Sequence, residues 1–133
     1  LMIVFSKSHE QLPIWKEAVA FAADIYRFCE GTKMRSDPRM RDQLRASATS
    51  VASNIAEGFE HQGRKSMIQF LCYAKGSAAE AYTQLTVLNV AGMISRDEHE
   101  SFSKKALALN QKIGGFIRYL KDAPTPGTTR NEQ

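Results

Sequence analysis

Residues 95–121, SRDEHESFSKKALALNQKIGGFIRYLK, have the pattern of one long helix with a single apolar side. At about 100° per residue, the apolar positions fall within an arc of about 100°. These positions are Phe102, Ala106, Leu109, Ile113, Phe116, Ile117 and Leu120. Ser95, with Glu98 three residues later, forms a capping-box pattern that predicts where the helix begins. A helix of this kind must bury its apolar side against other helices.

Three more segments with helical spacing precede it, over Pro13–Cys29, Asp37–Gly58 and Ser66–Asn89. Prolines near the first two starts suit a first helical turn, and Asp37 is a typical N-cap. The residues expected to stop the three helices are Gly31, in a left-handed turn, Gly58 and Gly92. Because the connections are short, neighbouring helices should run antiparallel. The sequence therefore predicts an all-α protein, an antiparallel up-down-up-down four-helix bundle.

The predicted bundle spans residues 12–122, with an N-terminal extension over 1–11 and a disordered tail over 123–133. The 133 residues fit one domain, and 43% of them are hydrophobic. No stretch approaches the ~20 apolar residues that cross a bilayer. We therefore expect a cytoplasmic protein with no membrane partner.

The chain has 18 Lys and Arg against 14 Asp and Glu, a net charge of +4, which favours contact with polyanions. On the polar side of the fourth helix lie Lys104, Lys105, Lys112 and Arg118. No acidic residue occurs from Ser103 to Lys121. Such an unpaired basic stripe suits phosphate contacts. The alternative is an ordinary solvated face.

A second basic group, Arg64 and Lys65, falls in the predicted loop before the third helix, where a positive tip would be exposed. These two residues and the four of the fourth helix are the candidate nucleic-acid-binding residues.

Two polar groups interrupt otherwise apolar helices. Asn54, Glu57 and Gly58 are expected to fix the end of the second helix or line a subunit contact; the alternative makes Glu57 a general base. Against the second, we expect no His, Cys or second carboxylate beside Glu57 to complete a catalytic set. Gly76, with Ser77 and Glu80, sits inside the third helix, where glycine costs about 1 kcal/mol relative to alanine. That cost suggests close approach of a partner helix or subunit, or else a tolerated defect.

The sequence contains none of the common catalytic or metal-binding motifs. It contains no phosphate-binding glycine loop, no nucleophile elbow and no Glu-x-x-His metal motif. His9, His61 and His99 lie far apart, and Cys29 and Cys72 are isolated. We expect no catalytic residue, no metal and no cofactor.

The central motifs resemble a known family. They are Gln43-Leu44-Arg45, Ser53-Asn54-Ile55-Ala56-Glu57-Gly58, Ala74-x-Gly76-Ser77 with Glu80, and the opening Leu12-x-x-Trp15-Lys16-x-Ala18. Together they resemble the bacterial four-helix-bundle proteins first noticed in intervening sequences of 23S ribosomal RNA genes, over residues 12–121. Ala46 stands where that family usually has a second arginine, and Ala52 where it often has a proline.

The resemblance implies an antiparallel bundle that assembles as a ring-shaped homopentamer. The family that this chain resembles is related to a basic accessory protein of diversity-generating retroelements, which has the same bundle and acts with a reverse transcriptase and nucleic acid. The leading hypothesis is thus a non-enzymatic homo-oligomer that binds RNA or DNA through basic faces. The alternative is a protein-interaction scaffold that uses the face of Gly76 and Tyr73.

Overall fold

The computed structural model describes residues 8–124, which form four long helices and two short ones. The long helices are α1 (Pro13–Phe28), α2 (Pro38–Glu60), α3 (Arg64–Val90) and α4 (Arg96–Asp122). A 3-10 turn, His9–Gln11, precedes α1, and a four-residue helix, Thr32–Arg35, links α1 to α2. The described residues contain no strand. None of the described helices is long and apolar enough to span a membrane.

Consecutive long helices pack antiparallel, and α4 returns to lie beside α1. Pairs of contacts give the direction, because they follow in reverse order along the two helices. Ser47 of α2 meets Glu80 of α3 and Ser50 meets Ser77. Thr86 of α3 meets His99 of α4 and Lys75 meets Asn110. The core between the helices is closed by fully buried side chains that include Ile25, Leu44, Ile55, Leu71, Leu85, Leu109 and Ile113. The predicted all-α antiparallel four-helix bundle is confirmed.

Helix starts follow the sequence signals closely. The Asp37 carboxylate accepts a hydrogen bond from the Met40 N–H at 3.1 Å, which caps α2. Ser95 and Glu98 form a complete capping box, each side chain bonded to the other's backbone N–H. Gly92 has φ +77° just after α3, the left-handed conformation expected of a helix stop.

Two details of the predicted stops are wrong. The first helix ends at Phe28, close to the predicted Cys29, but Gly31 is extended, with φ −64° and ψ 154°, and not left-handed. The chain there enters the short helix Thr32–Arg35. Gly58 lies inside α2, which continues to Glu60. There Gly58 allows close packing on α3, since a Cβ would lie 3.0 Å from both Met67 Sδ and Phe70 Cβ.

The real turn after α2 uses Gln62, the one described non-glycine residue with positive φ, at 57°. The turn is also tighter than predicted, because α3 begins at Arg64 rather than near Ser66. Arg64 and Lys65 are therefore in the first turn of α3 and not in a loop.

The predicted terminal segments are described only in part. Residues 8–11 form the turn that packs on α1 and α2, and residues 123–124 follow α4. The remaining residues of the predicted extension and tail, 1–7 and 125–133, lie outside the described residues.

Candidate nucleic-acid interface

Two of the predicted phosphate-binding lysines form ion pairs across the α1–α4 interface. Lys105 Nζ lies 2.9 Å from Asp24 Oδ2, and Lys112 Nζ lies 2.8 Å from Glu17 Oε1. The hydrogen bond from Lys105 holds the pKa of the Asp24 carboxyl below its usual value, and Arg27 acts in the same direction. The expectation of an unpaired stripe was wrong for these two residues, because the compensating acids lie on α1 and not on α4.

These pairs remain partly accessible to solvent. About half of each lysine side chain is exposed, 49% for Lys105 and 55% for Lys112. Exposed pairs of this kind stabilise a fold by roughly 0–1 kcal/mol each. A phosphate that approached either lysine would have to compete with a carboxylate already in contact.

The other two predicted cations of α4, Lys104 and Arg118, have no ion-pair partner among residues 8–124. Both side chains are exposed. Arg118 extends back along α4 over Gly114 and Gly115, since a Cβ on Gly114 would lie 3.5 Å from its Nη1.

A further cation, Lys75 of α3, lies beside Arg118 over Gly114 and was not predicted from the sequence. A Cβ on Gly114 would lie 3.1 Å from Lys75 Cε, so Lys75 and Arg118 share the space above this buried glycine. Asn110 Nδ2 donates to the Lys75 carbonyl at 3.1 Å and fixes the local register of α3 against α4. Lys75 likewise has no ion-pair partner in the described part of the chain. Its signal was hidden because it stands alone between apolar residues.

Lys75 and Arg118 meet over Gly114, Lys121 lies about one turn beyond Arg118, and Lys65 lies in the first turn of α3. We call these four residues the basic seam. It follows the first half of α3 and the last half of α4, which lie side by side because the helices are antiparallel. No acidic residue occurs between Glu60 and Glu80, nor between Glu100 and Asp122. The one carboxylate on these adjoining halves is therefore Asp122, the last residue of α4, which follows Lys121 in the sequence and forms no ion pair within residues 8–124.

Arg64, the remaining predicted contact, is engaged with the end of α4. Its Nη1 donates to the Ala123 carbonyl at 2.8 Å and its Nη2 to the Pro124 carbonyl. Carbonyls at a helix C-terminus lack partners within the helix, so this arginine satisfies them. The prediction that Arg64 forms an exposed positive tip is therefore wrong, whereas Lys65 beside it is exposed.

Comparison with known proteins identifies the family. A family model described as 23S rRNA-intervening sequence protein matches residues 10–115. The chain belongs to this family. Among solved structures it is similar to a protein of unknown function from the S23 ribosomal protein family of Bacteroides thetaiotaomicron VPI-5482. The two are 26% identical with a TM-score of 0.72, over 79% of this chain and 95% of that one. No curated protein matches the chain significantly.

In this 23S rRNA-intervening sequence protein, the motif residues at the centre of the chain form polar contacts between α2 and α3. Ser47 Oγ donates to Glu80 Oε1 at 2.6 Å. Ser77 Oγ lies 2.9 Å from Ser50 Oγ, which also accepts from Asn54 Nδ2. Ser77 and Glu80 thus connect helices within one chain; whether the motif residues also serve a subunit contact stays a prediction.

Glu57 lies at the exposed end of α2, with its Oε2 3.5 Å from His61 Nε2. A histidine therefore does stand beside Glu57, contrary to the expectation from sequence, because four residues make one helical turn. More than half of each side chain is exposed. The arrangement is that of a surface pair at a helix end.

Gly76 faces outward from α3, and a Cβ there would meet no atom within 4 Å. Tyr73, on the same side, is 51% exposed. In the part of the chain that the structure describes, no group of three or more His, Cys, Asp or Glu residues could hold a metal ion. The expectation of a protein without metal or cofactor stays a prediction.

Proposed function

We propose that this family member is a non-enzymatic homo-oligomeric bundle that binds RNA or another nucleic acid through the basic seam. The observation that carries the proposal is the pair Lys75 and Arg118, two cations that lie over Gly114 with no ion-pair partner among residues 8–124. Lys75 Cε and Arg118 Nη1 lie 3.1 Å and 3.5 Å from the point that a Cβ on Gly114 would occupy, so one phosphate could contact both cations. The guanidinium of Arg118 can also bind a phosphate through two parallel hydrogen bonds.

Within the sequence-predicted set, the geometry favours Arg118 and Lys65 over the others. Lys104 lines the α1–α4 groove together with Glu17 and Asp24, so it lies off the basic seam. Lys105 and Lys112 are paired with acids of α1, and Arg64 holds the end of α4. Lys75 and Lys121 join the favoured group because they lie beside Arg118 or one turn from it.

Assembly would strengthen a weak surface. One chain carries a net charge of only +4. The family resemblance implies a ring-shaped homopentamer, in which repeated seams would engage one polyanion together. Linked sites of this kind raise the overall affinity without any new contact. The proposed relation to the retroelement accessory protein leads to the same class of partner.

The proposal is tested by binding of labelled structured RNA and duplex DNA across a salt series, with the oligomeric state measured by light scattering in the same samples. We expect log K to fall linearly with log salt concentration, with a slope of about 0.9 per phosphate engaged on duplex DNA. Failure to bind either nucleic acid at low salt would overturn the proposal.

A second candidate, a protein-interaction scaffold, is favoured by the outer face of α3. This face combines the open space over Gly76 with the exposed side chains of Tyr73 and Val87. Capture of one defined protein, insensitive to nuclease and lost in Tyr73→Glu, would support the scaffold. Capture that disappears after nuclease treatment would support nucleic-acid binding and contradict the scaffold.

A further inference from the structure

Helices α1 and α4 are joined by two ion pairs with a groove between them. Lys112 pairs with Glu17, and Lys105 pairs with Asp24 seven residues away along each helix. Because the spacing is the same on both helices, the two bridges lie about 10 Å apart, at ~1.5 Å per residue. The groove has a volume of about 530 Å³ and includes both acids in its lining.

The floor of this α1–α4 groove is apolar and closed. Phe21 and Leu109 line it and are only 2% and 1% exposed, so the groove ends on the bundle core. Ala20 and Ala108 lie beside them, midway between the bridges, and their small side chains leave the space open. Clefts of about 300–1,000 Å³ with an apolar lining and few polar groups are typical of small-molecule sites.

The charges around the groove leave one cation unused. Glu17 and Asp24 are each paired with a lysine, and Asp24 also lies 2.6 Å from Arg27. Lys104 lines the same groove, is exposed, and has no ion-pair partner among residues 8–124. The acids in the lining are therefore already neutralised, whereas Lys104 is available to an anionic group.

We propose that the α1–α4 groove binds a small organic monoanion, whose apolar body lies between Ala20 and Ala108 and whose carboxylate contacts Lys104. Removal of the apolar body from water supplies the main favourable contribution, and the charge of Lys104 selects the acid over a neutral analogue. A peptide helix is a poorer occupant, because it is about 10–12 Å across and would have to break a bridge to reach the floor. This site is separate from the basic seam and does not depend on nucleic-acid binding.

Titration with 4-phenylbutyrate, and with 4-phenylbutanamide as its neutral counterpart, tests the proposal. The protein is labelled with ¹³C at its alanine methyl groups, so that Ala20 and Ala108 report on the groove in an assembly of any size. At low ionic strength we expect both methyl resonances to move, and the acid to bind about two- to fivefold more tightly than the amide, as an exposed ion pair allows. Unmoved resonances, or equal affinities for the acid and the amide, would overturn the proposal.

Two matched pairs of variants locate the site. Ala108→Trp fills the groove and should abolish binding, whereas Leu107→Trp adds the same side chain at an exposed position outside the lining and should not. Lys104→Gln should lower the affinity for the acid to that for the amide, whereas Lys75→Gln should leave both unchanged. Circular dichroism checks that each variant is folded, and the lysine pair decides the case if a tryptophan variant is not. Equal effects within the lysine pair would contradict the assignment to Lys104.

Discussion

Lys105 of α4 donates a hydrogen bond to Asp24 of α1 across 2.9 Å, and the pair joins two helices that are far apart in sequence. Lys112 repeats the arrangement with Glu17, two turns further along α4. The cations that stand out in the sequence are therefore partly used to hold α4 against α1. The less conspicuous Lys75 lies with Arg118 on the other flank of α4, where no acid of the described segment is paired with either.

Removal of the α1–α4 ion pairs should affect stability more than nucleic-acid binding. We expect Lys105→Gln and Lys112→Gln each to lower the free energy of unfolding by about 0–1 kcal/mol, because both pairs are half exposed. Urea denaturation measures this loss. A large loss of nucleic-acid affinity in these variants, with stability unchanged, would contradict the prediction and would place the nucleic-acid interface on the α1 side of α4.

The pH dependence of stability should include a contribution from Asp24. Lys105 holds the pKa of this carboxyl below its ordinary value of 3.8, so the folded state binds fewer protons than the unfolded state. The resulting stabilisation is present above about pH 4 and is lost as the pH falls through the folded-state pKa. Denaturation of wild type and Asp24→Asn at neutral and acidic pH should show a smaller acid loss in the variant. Parallel pH profiles would contradict the assignment.

Two glycines of the family motif should respond oppositely to alanine. Gly58→Ala places a Cβ 3.0 Å from Met67 Sδ and Phe70 Cβ, and overpacking of this kind costs about 1–3 kcal/mol. Gly76→Ala meets no atom within 4 Å and should stabilise α3 by about 0.5–1 kcal/mol. Thermal denaturation under conditions that keep the protein monomeric compares the two. If Gly76 also touches a neighbouring subunit, its variant should form a weaker oligomer.

Arg64 should act on the end of α4 rather than on nucleic acid. Arg64→Gln removes the guanidinium that donates to the Ala123 and Pro124 carbonyls. We expect faster hydrogen exchange over the last turn of α4, with nucleic-acid affinity changed less than by loss of Arg118. Lys65→Gln is the matched control and should leave the exchange of α4 unchanged. Equal exchange in both variants would contradict this role.

The helices were largely predictable from sequence because their signals are local. Asp37, Ser95 and Gly92 act through backbone atoms a few residues away, so periodicity and caps located most helix ends. Gly58 was mistaken for a stop because its reason is distant: the side chains of Met67 and Phe70 on α3. The ion pairs of Lys105 and Lys112 were missed for the same reason, since their partners lie 81 and 95 residues away.

The candidate site shows the limit of charge counting along one helix. The last part of α4 does lack acidic residues up to Lys121, yet Lys105 and Lys112 are neutralised by carboxylates of α1. Lys75 gave no sequence signal because a single lysine in an apolar helix is ordinary. Only the antiparallel pairing of α3 and α4 brings it to Arg118.

The central claim is that nucleic acid binds at Lys75 and Arg118, and a salt-dependent affinity comparison tests it most directly. The double variant Lys75→Gln/Arg118→Gln is compared with Lys33→Gln/Arg96→Gln, which removes the same charge at the opposite end of the bundle, where both residues are exposed. We expect the first variant to bind more weakly and to lose about one unit of salt slope per lost phosphate contact, while the control stays close to wild type. Equal losses in both variants, or none in the first, would contradict the account.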